Sequence, residues 1–260
     1  MLVTKRSRLS RPQALVFLDD LARTEGNALS VYIAQGTSRP QVENLVDRAF
    51  ASTRVPPGMV EVIDGSEMGA VLFRGSPGAY LVLPPFPVRD EYLTDGYDIG
   101  PLRSLLSRDL LIGLVLVRLG SYSVGVCRGT DLLDSKTGTG LVHARHRQGG
   151  SSQGRFARHR EKQIEQFLIR VCGHAREHIE PHARSLDYLV YGGARTTILL
   201  LRKQCPFLGR FDDRVLRMLL DIPDPRKPVL EKAVSTVWST DVIEFTRDDL
   251  QQQSPVRPAD

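Results

Sequence analysis

The chain has 260 residues, 41% of them apolar and 25% charged, and a formal net charge of +5. That apolar content is enough to bury a core, which excludes a chain disordered throughout. The longest apolar run, Leu110 to Val117, is too short to cross a bilayer, and the first residues carry charge but no apolar signal core. Three cysteines (Cys127, Cys172 and Cys205) are odd in number and widely spaced. They argue against a disulfide framework or a structural zinc site and fit a reducing cytoplasm.

Taken in order, the chain opens with apolar residues at helical spacing over Pro12 to Ala22, ended by Gly26-Asn27. Leu29 to Ala34 reads as a strand. Ser38-Arg-Pro opens a second helix with Val42, Leu45, Val46 and Phe50 on one face. Two short strands, Gly69 to Phe73 and Ala79 to Leu83, flank a turn at Gly75–Gly78, and the proline-rich stretch from Pro84 to Tyr97 reads as a connector before a short helix at Pro101 to Leu106. The pattern then changes. Leu110 to Leu119 is nearly all apolar, as a strand covered on both faces must be. A second strand follows at Tyr122 to Cys127 and a third is expected at Leu141 to His146. An amphipathic helix runs from about Gly154 to Ile179. Leu186 to Tyr191 reads as a strand, Thr196 to Lys203 as a helix, Met218 to Ile222 as a short element, and Pro228 to Phe245 as a last helix. Three strands followed by alternating helices and strands predict an α/β fold with a mixed sheet covered on both faces.

Charge is unevenly spread. Between Ser135 and Leu220 there are 16 Lys/Arg against 7 Asp/Glu, and elsewhere 19 against 23. Of the basic residues 29 are arginine, the side chain whose planar fork best grips phosphate, so the basic half points to a polyanionic partner, most simply nucleic acid. The densest part is His143 to Arg160, which holds five arginines and three histidines, and no acidic residue occurs from Ser135 through Arg160. Within it Gly149, Gly150, Ser151, Ser152 and Gln153 form a slim loop before the amphipathic helix. A helix start offers unpaired N–H groups suited to phosphate or a developing oxyanion. A glycine pair before a helix is a weak signal alone; its setting in a basic run gives it weight.

The loop and helix GGSSQGRFARHREKQIEQF resemble the catalytic domain of archaeal and eukaryotic class-1 translation release factors, in which a GGQ loop precedes a helix with a similar Arg-Phe-Ala-Arg start. The hairpin LLIGLVLVRLGSYSVGVCRG before it, and YLVYGGARTTILLLRKQ and FDDRVL after it, occur in the same order. LARTEGNALSVYI looks like a reduced form of those factors' first domain, so the resemblance covers most of residues 11–245. One departure is central. The position of the family's glutamine holds Ser151, and Gln153 lies two residues later. That GG-x-x-Q form is similar to the Vms-like release factor family, whose eukaryotic members free stalled nascent chains. The decoding motif and third domain of termination factors are not found, so stop-codon reading is not expected.

The resemblance implies a reduced N-terminal α/β domain and connector over 1–106 and a catalytic domain over 107–248, for which the sheet order suggests an RNase H-like mixed-sheet fold; the polar composition of QQQSPVRPAD predicts a disordered tail over 249–260. It implies a cytoplasmic, metal-independent peptidyl-tRNA hydrolase, monomeric and without cofactor or membrane contact, with the large ribosomal subunit and peptidyl-tRNA as partners. Ester hydrolysis needs an aligned water and a stabilised oxyanion, and a glutamine amide offers both a donor and an acceptor. Gln153 is therefore expected to orient water, with Gly149, Gly150, Ser151 and Ser152 shaping the loop and Arg145, Arg147, Arg155, Arg158, His159 and Arg160 holding RNA. Two other readings stand beside it. His143, His146 or His159 could supply acid and base for cleavage of the tRNA near its 3′ end, and a Pelota-type factor would bind ribosomes without catalysis. Two-metal cleavage is disfavoured because the strand Leu110–Leu119 carries no carboxylate. His174, His178 and His182, spaced by four, invite a zinc reading. Pro181 should end the helix before His182, however, and no cysteine or carboxylate obviously completes a site, so a solvated or RNA-facing surface is the expected role. Cys172 and Trp238 are expected in the core.

Overall fold

The computed structural model describes residues 5–51, 53–75, 78–142 and 153–245, arranged as two compact units, one from the described residues up to 108 together with 237–245, the other from those between 109 and 236.

The first unit contains β1 (Lys5–Leu9), α1 (Arg11–Ala22), β2 (Leu29–Ile33), α2 (Arg39–Ala49), α3 (Met59–Asp64), β3 (Ala70–Arg74), β4 (Ala79–Leu83), β5 (Tyr92–Asp95) and α4 (Gly100–Ser107). The same tetrapeptide, Ser-Arg-Pro-Gln, starts both α1 and α2. In each, the serine's backbone N–H donates to the glutamine side chain three residues on (Ser10 to Gln13, 2.9 Å; Ser38 to Gln41, 3.2 Å), which satisfies an orphan donor while proline presets the first helical turn. The second unit contains β6 (Leu111–Arg118), β7 (Ser121–Arg128), β8 (Asp131–Thr139), α5 (Gln153–Ile179), β9 (Tyr188–Gly193), α6 (Arg195–Gln204), α7 (Pro206–Gly209), β10 (Val215–Leu220) and α8 (Lys227–Val237), and β11 (Thr240–Phe245) ends the described chain.

In the first unit the sheet runs β1-β11-β4-β3-β2-β5, with every neighbour antiparallel. Strand alternation sends Val31, Ile33, Leu72, Leu81 and Ile243 to the face covered by α2 and α3. Tyr32, Val71, Phe73, Val82 and Val242 go to the face covered by α1 and α4. The second sheet runs β10-β9-β6-β7-β8. β6, β7 and β8 form an antiparallel meander, while β9 and β10 join parallel on the other side of β6. One face (Val115, Val117, Tyr122, Val124 and Val126) packs on α5, α6 and α7 through Phe167, Leu168, Val171, Leu201 and Phe207. On the other face the Ser123 hydroxyl donates to the Pro225 carbonyl at 3.0 Å, and Gly125 leaves room for Leu230 of α8. Helices thus cover both faces, and the fold is mixed α/β with two sheets.

Several elements differ from the sequence expectation. The third strand is β8, not Leu141 to His146: Leu141 and Val142 are coil, and 143–146 lie outside the described residues. The last helix stops at Val237, and Thr240–Phe245 is a strand between β1 and β4 of the first sheet, so the chain returns to the first unit where the sequence had assigned it to the second. β5 lies within the expected connector, and β1 was not foreseen. The expected tail lies outside the described residues. Among the described residues no helix is long and apolar enough to cross a membrane.

Candidate functional site

The route into the loop is built by β8 and α5. β8 ends at Thr139, whose carbonyl accepts from the Arg170 guanidinium of α5 at 3.3 Å. The next residue, Gly140, donates its N–H to the Gly120 carbonyl at 2.9 Å. Two glycines let the end of β8 lie this close to Tyr122 of β7 and Phe167 of α5. At Gly138 a side chain would strike the Tyr122 hydroxyl, and at Gly140 a Cβ would sit 2.6 Å from the edge of the Phe167 ring. Val142 then packs, half-buried, against the core of the second unit. The chain is handed from the sheet to the flank of α5 before the loop begins.

Most of the residues expected to act lie beyond that point. His143, Arg145, His146, Arg147, Gly149, Gly150, Ser151 and Ser152 are outside the described residues. Gln153, expected in the loop, is the first helical residue of α5, and for it and Arg155 only the helical backbone is described. Arg158 and His159 are exposed on the first turns, and Arg160 is half-buried.

The helix itself is the informative part. α5 has 27 residues, about 40 Å at 1.5 Å per residue. None of residues 158–166 is buried; the first buried side chain among the described residues is Phe167. Phe167 lies 14 residues from Gln153, which is about 21 Å along the axis. Hydrophobic contact anchors the C-terminal half, through Phe167, Leu168, Val171, Ala175 and Ile179, and the partly buried Ile164 is the first apolar side chain of α5, among the described residues, to pack on this core.

Several arginines of the second unit are held in ion pairs. Arg210 pairs with Glu180 at 3.0 Å, Arg202 with Asp212 at 2.7 Å and Arg226 with Asp224 at 3.1 Å. Arg176 and Arg210 also lie over the Phe207 ring, 5.5 and 5.6 Å from its centre. These arginines brace the domain's own surface.

The cysteines overturn the expectation of reduced, unpaired thiols. Cys172 of α5 is bonded to Cys205, which follows α6, with Cα atoms 5.5 Å apart. Widely spaced in sequence, the two meet because α5 and α6 pack on the same sheet face. Cys127 is buried, and that burial pushes its thiol up to about 12, which holds it neutral and unsuited to nucleophilic work.

At the far end of α5 two of the three histidines singled out by their spacing join a polar cluster whose acidic members, Asp134 and Glu177, the sequence did not point to. His178 Nδ1 lies 2.7 Å from Oδ2 of Asp134 on β8, and His174 Nδ1 lies 3.1 Å from Oε2 of Glu177. The His174 ring stacks on Tyr122, centres 5.5 Å apart and planes within 15°. His182, the third histidine of the spacing, lies in a short 3-10 turn after the helix, as Pro181 requires. The available signal was His-x-x-Glu-His within one helical turn, which the four-residue spacing to His182 obscured.

Comparison with known proteins places the second unit. The family described as Actinobacteria/chloroflexi VLRF1 release factor matches residues 111–243. Peptide chain release factor subunit 1 of Archaeoglobus fulgidus is 30% identical over 113 residues, covering 44% of this chain and 28% of that protein. Its counterpart in Aeropyrum pernix is 28% identical over 140 residues, covering 53% and 36%. The chain therefore spans only about a third of the length of these curated relatives (28% and 36%). Among solved structures, the archaeal translation termination factor aRF1 matches at 17% identity with a TM-score of 0.38, over 88% of this chain and 73% of that one.

Proposed function

The chain belongs to the Actinobacteria/chloroflexi VLRF1 release factor family, and from that membership we propose that it is a ribosome-associated peptidyl-tRNA hydrolase. On this reading it releases nascent chains from stalled ribosomes or large subunits. The loop 149–153 enters the peptidyl-transferase region, Gln153 aligns a water on the ester carbonyl, and the N–H groups at the start of α5 help stabilise the oxyanion. Arg145, Arg147, Arg155, Arg158, His159 and Arg160 hold the RNA backbone by charge. No acid–base pair is required, because the ester is already activated relative to an amide and the barrier is lowered by position and charge.

The observation that carries this reading is the form of α5. A helix that packs on the core from Ile164 onward among its described side chains and runs back about 17 Å to Gln153 is a stalk that suits delivery of a narrow polar tip into a deep RNA-lined centre. A Pelota-type binding factor has no need of a neutral amide at the tip, and that favours the catalytic reading. The test is direct. Stalled ribosome–nascent-chain complexes are incubated with the protein, and peptidyl-tRNA, free peptide and tRNA 3′ ends are resolved on gels. Free peptide with intact tRNA supports the proposal; undiminished peptidyl-tRNA with bound protein would replace it by a binding role.

A further inference from the structure

The anchored end of α5 carries a second arrangement, independent of the loop. His174, Glu177 and His178 occupy positions i, i+3 and i+4, which places all three side chains on one helical face. One donor atom from each lies within 4.8 Å of the others. A tetrahedral ion held about 2.0–2.2 Å from nitrogen and oxygen ligands sets its donors about 3.3–3.6 Å apart, inside this limit and reached by side-chain rotation. Two imidazoles and one carboxylate are a donor set that suits zinc and leaves a fourth tetrahedral position for water.

The groups around the cluster prepare it for such an ion. Asp134 takes the Nδ1 side of His178 at 2.7 Å, and His178 is only 14% exposed. With Nδ1–H donating to the carboxylate, Nε2 carries the lone pair. A carboxylate behind a histidine is the outer-shell partner that fixes tautomer and ring orientation at metal sites. Stacking on Tyr122 fixes the plane of the second imidazole. These two supports come from β7 and β8, so three ligands on one helical turn are braced by two strands. Ion pairing alone would need neither the stacked ring nor the second imidazole.

We propose that His174, Glu177 and His178 bind one divalent transition-metal ion of the zinc class, with Asp134 and Tyr122 as positioning residues. The site lies 21 residues from Gln153 along α5, about 30 Å from the loop, so it does not take part in the proposed release chemistry. It clamps the anchored end of the helix to the strand that carries Asp134.

The test uses the full chain without a polyhistidine tag, stripped with chelator and titrated with Zn(II) by calorimetry and with Co(II) by visible absorption. The expected result is one equivalent bound, with the intense visible bands of tetrahedral cobalt. His174→Ala/His178→Ala should abolish it, and Asp134→Asn should weaken it about 10–100-fold. His182→Ala should leave it unchanged. Glu177 is 66% exposed, so Glu177→Gln keeps the fold and should also weaken binding even if the histidine variant unfolds. No stoichiometric uptake, or uptake indifferent to Glu177→Gln in the folded protein, would overturn the proposal.

Discussion

Gly140 and Phe167 are in contact so close that the glycine's missing side chain is part of the packing: a Cβ there would lie 2.6 Å from Cδ2 of the ring. The residue that starts the path into the loop is thereby pressed against the first buried side chain of α5 among the described residues. Gly140→Ala should force Phe167 off its position and cost about 1–3 kcal/mol by overpacking. Urea denaturation should show a lower midpoint at unchanged slope, together with slower nascent-chain release because the helix is displaced. An unaltered midpoint would mean that β8 and α5 separate freely.

Gln153→Ala is expected to lower release by about two orders of magnitude, the range lost when a single positioning group is removed. Co-sedimentation with ribosomes should stay near normal, since the phosphate contacts remain. Near-normal release would move the reacting centre elsewhere in the loop.

The arginines make a different prediction. Arg145→Glu/Arg147→Glu should weaken ribosome or tRNA binding and flatten its dependence on salt, because each lost phosphate contact releases fewer counterions. Thermal stability should hardly change, as exposed charges contribute little to folding. An unchanged salt slope would show that this stretch does not face RNA.

Water on the ester and attack by the ribose hydroxyl leave different tRNAs. Hydrolysis preserves the complete 3′ end, so the released tRNA can be recharged by its synthetase. Sequencing of tRNA 3′ ends should return intact termini. Uniform truncation that disappears in the His143/His146/His159 triple-alanine variant would assign the reaction to cleavage instead.

Asp241 ties β11 to β1, taking hydrogen bonds from Arg8 at 2.8 Å and Arg6 at 2.7 Å. Burial alone would raise its carboxyl, but the hydrogen bonds and charges of Arg8 and Arg6 outweigh that and hold it below the ordinary value. A depressed folded pKa contributes stability that is fully present above the unfolded value, about 3.9, and is lost as pH falls through the lower folded value. Asp241→Asn should therefore cost about 1 kcal/mol at neutral pH. Its acid unfolding curve should be flatter than wild type below about pH 4. Parallel curves would show that the ion pairs contribute nothing.

What was legible in the sequence had strong periodicity. β6, buried at every residue but its last, and α5, with its apolar stripe, were visible from the spacing of Leu, Val, Ile and Phe. β8 was not. Its sequence DLLDSKTGT is that of a half-exposed edge strand, and its partner β7 supplies the apolar side of the pairing. β11 was merged with α8 because Trp238 and Ser239, the break between them, carry no glycine or proline, and only tertiary pairing decides the backbone there. The loop was recognisable because glycine, serine and arginine concentrate in one stretch. The cluster at His178 was not, since Asp134 lies 44 residues away and only the fold brings them together.

The return of β11 to the first sheet sets an order on synthesis. Residues 109–236 are inserted within the first unit, and β4 finds its neighbour β11 only after the whole insert has been made. The second unit has all its own strands once β10 is out, so it can close while the first still lacks a strand between β1 and β4. Until then β4 presents an unpaired edge, the kind of surface that invites pairing with another chain. Excising the stretch 111–243 would sever β11 from both its partners, whereas a fragment covering 109–236 would leave none of its strands without a neighbour.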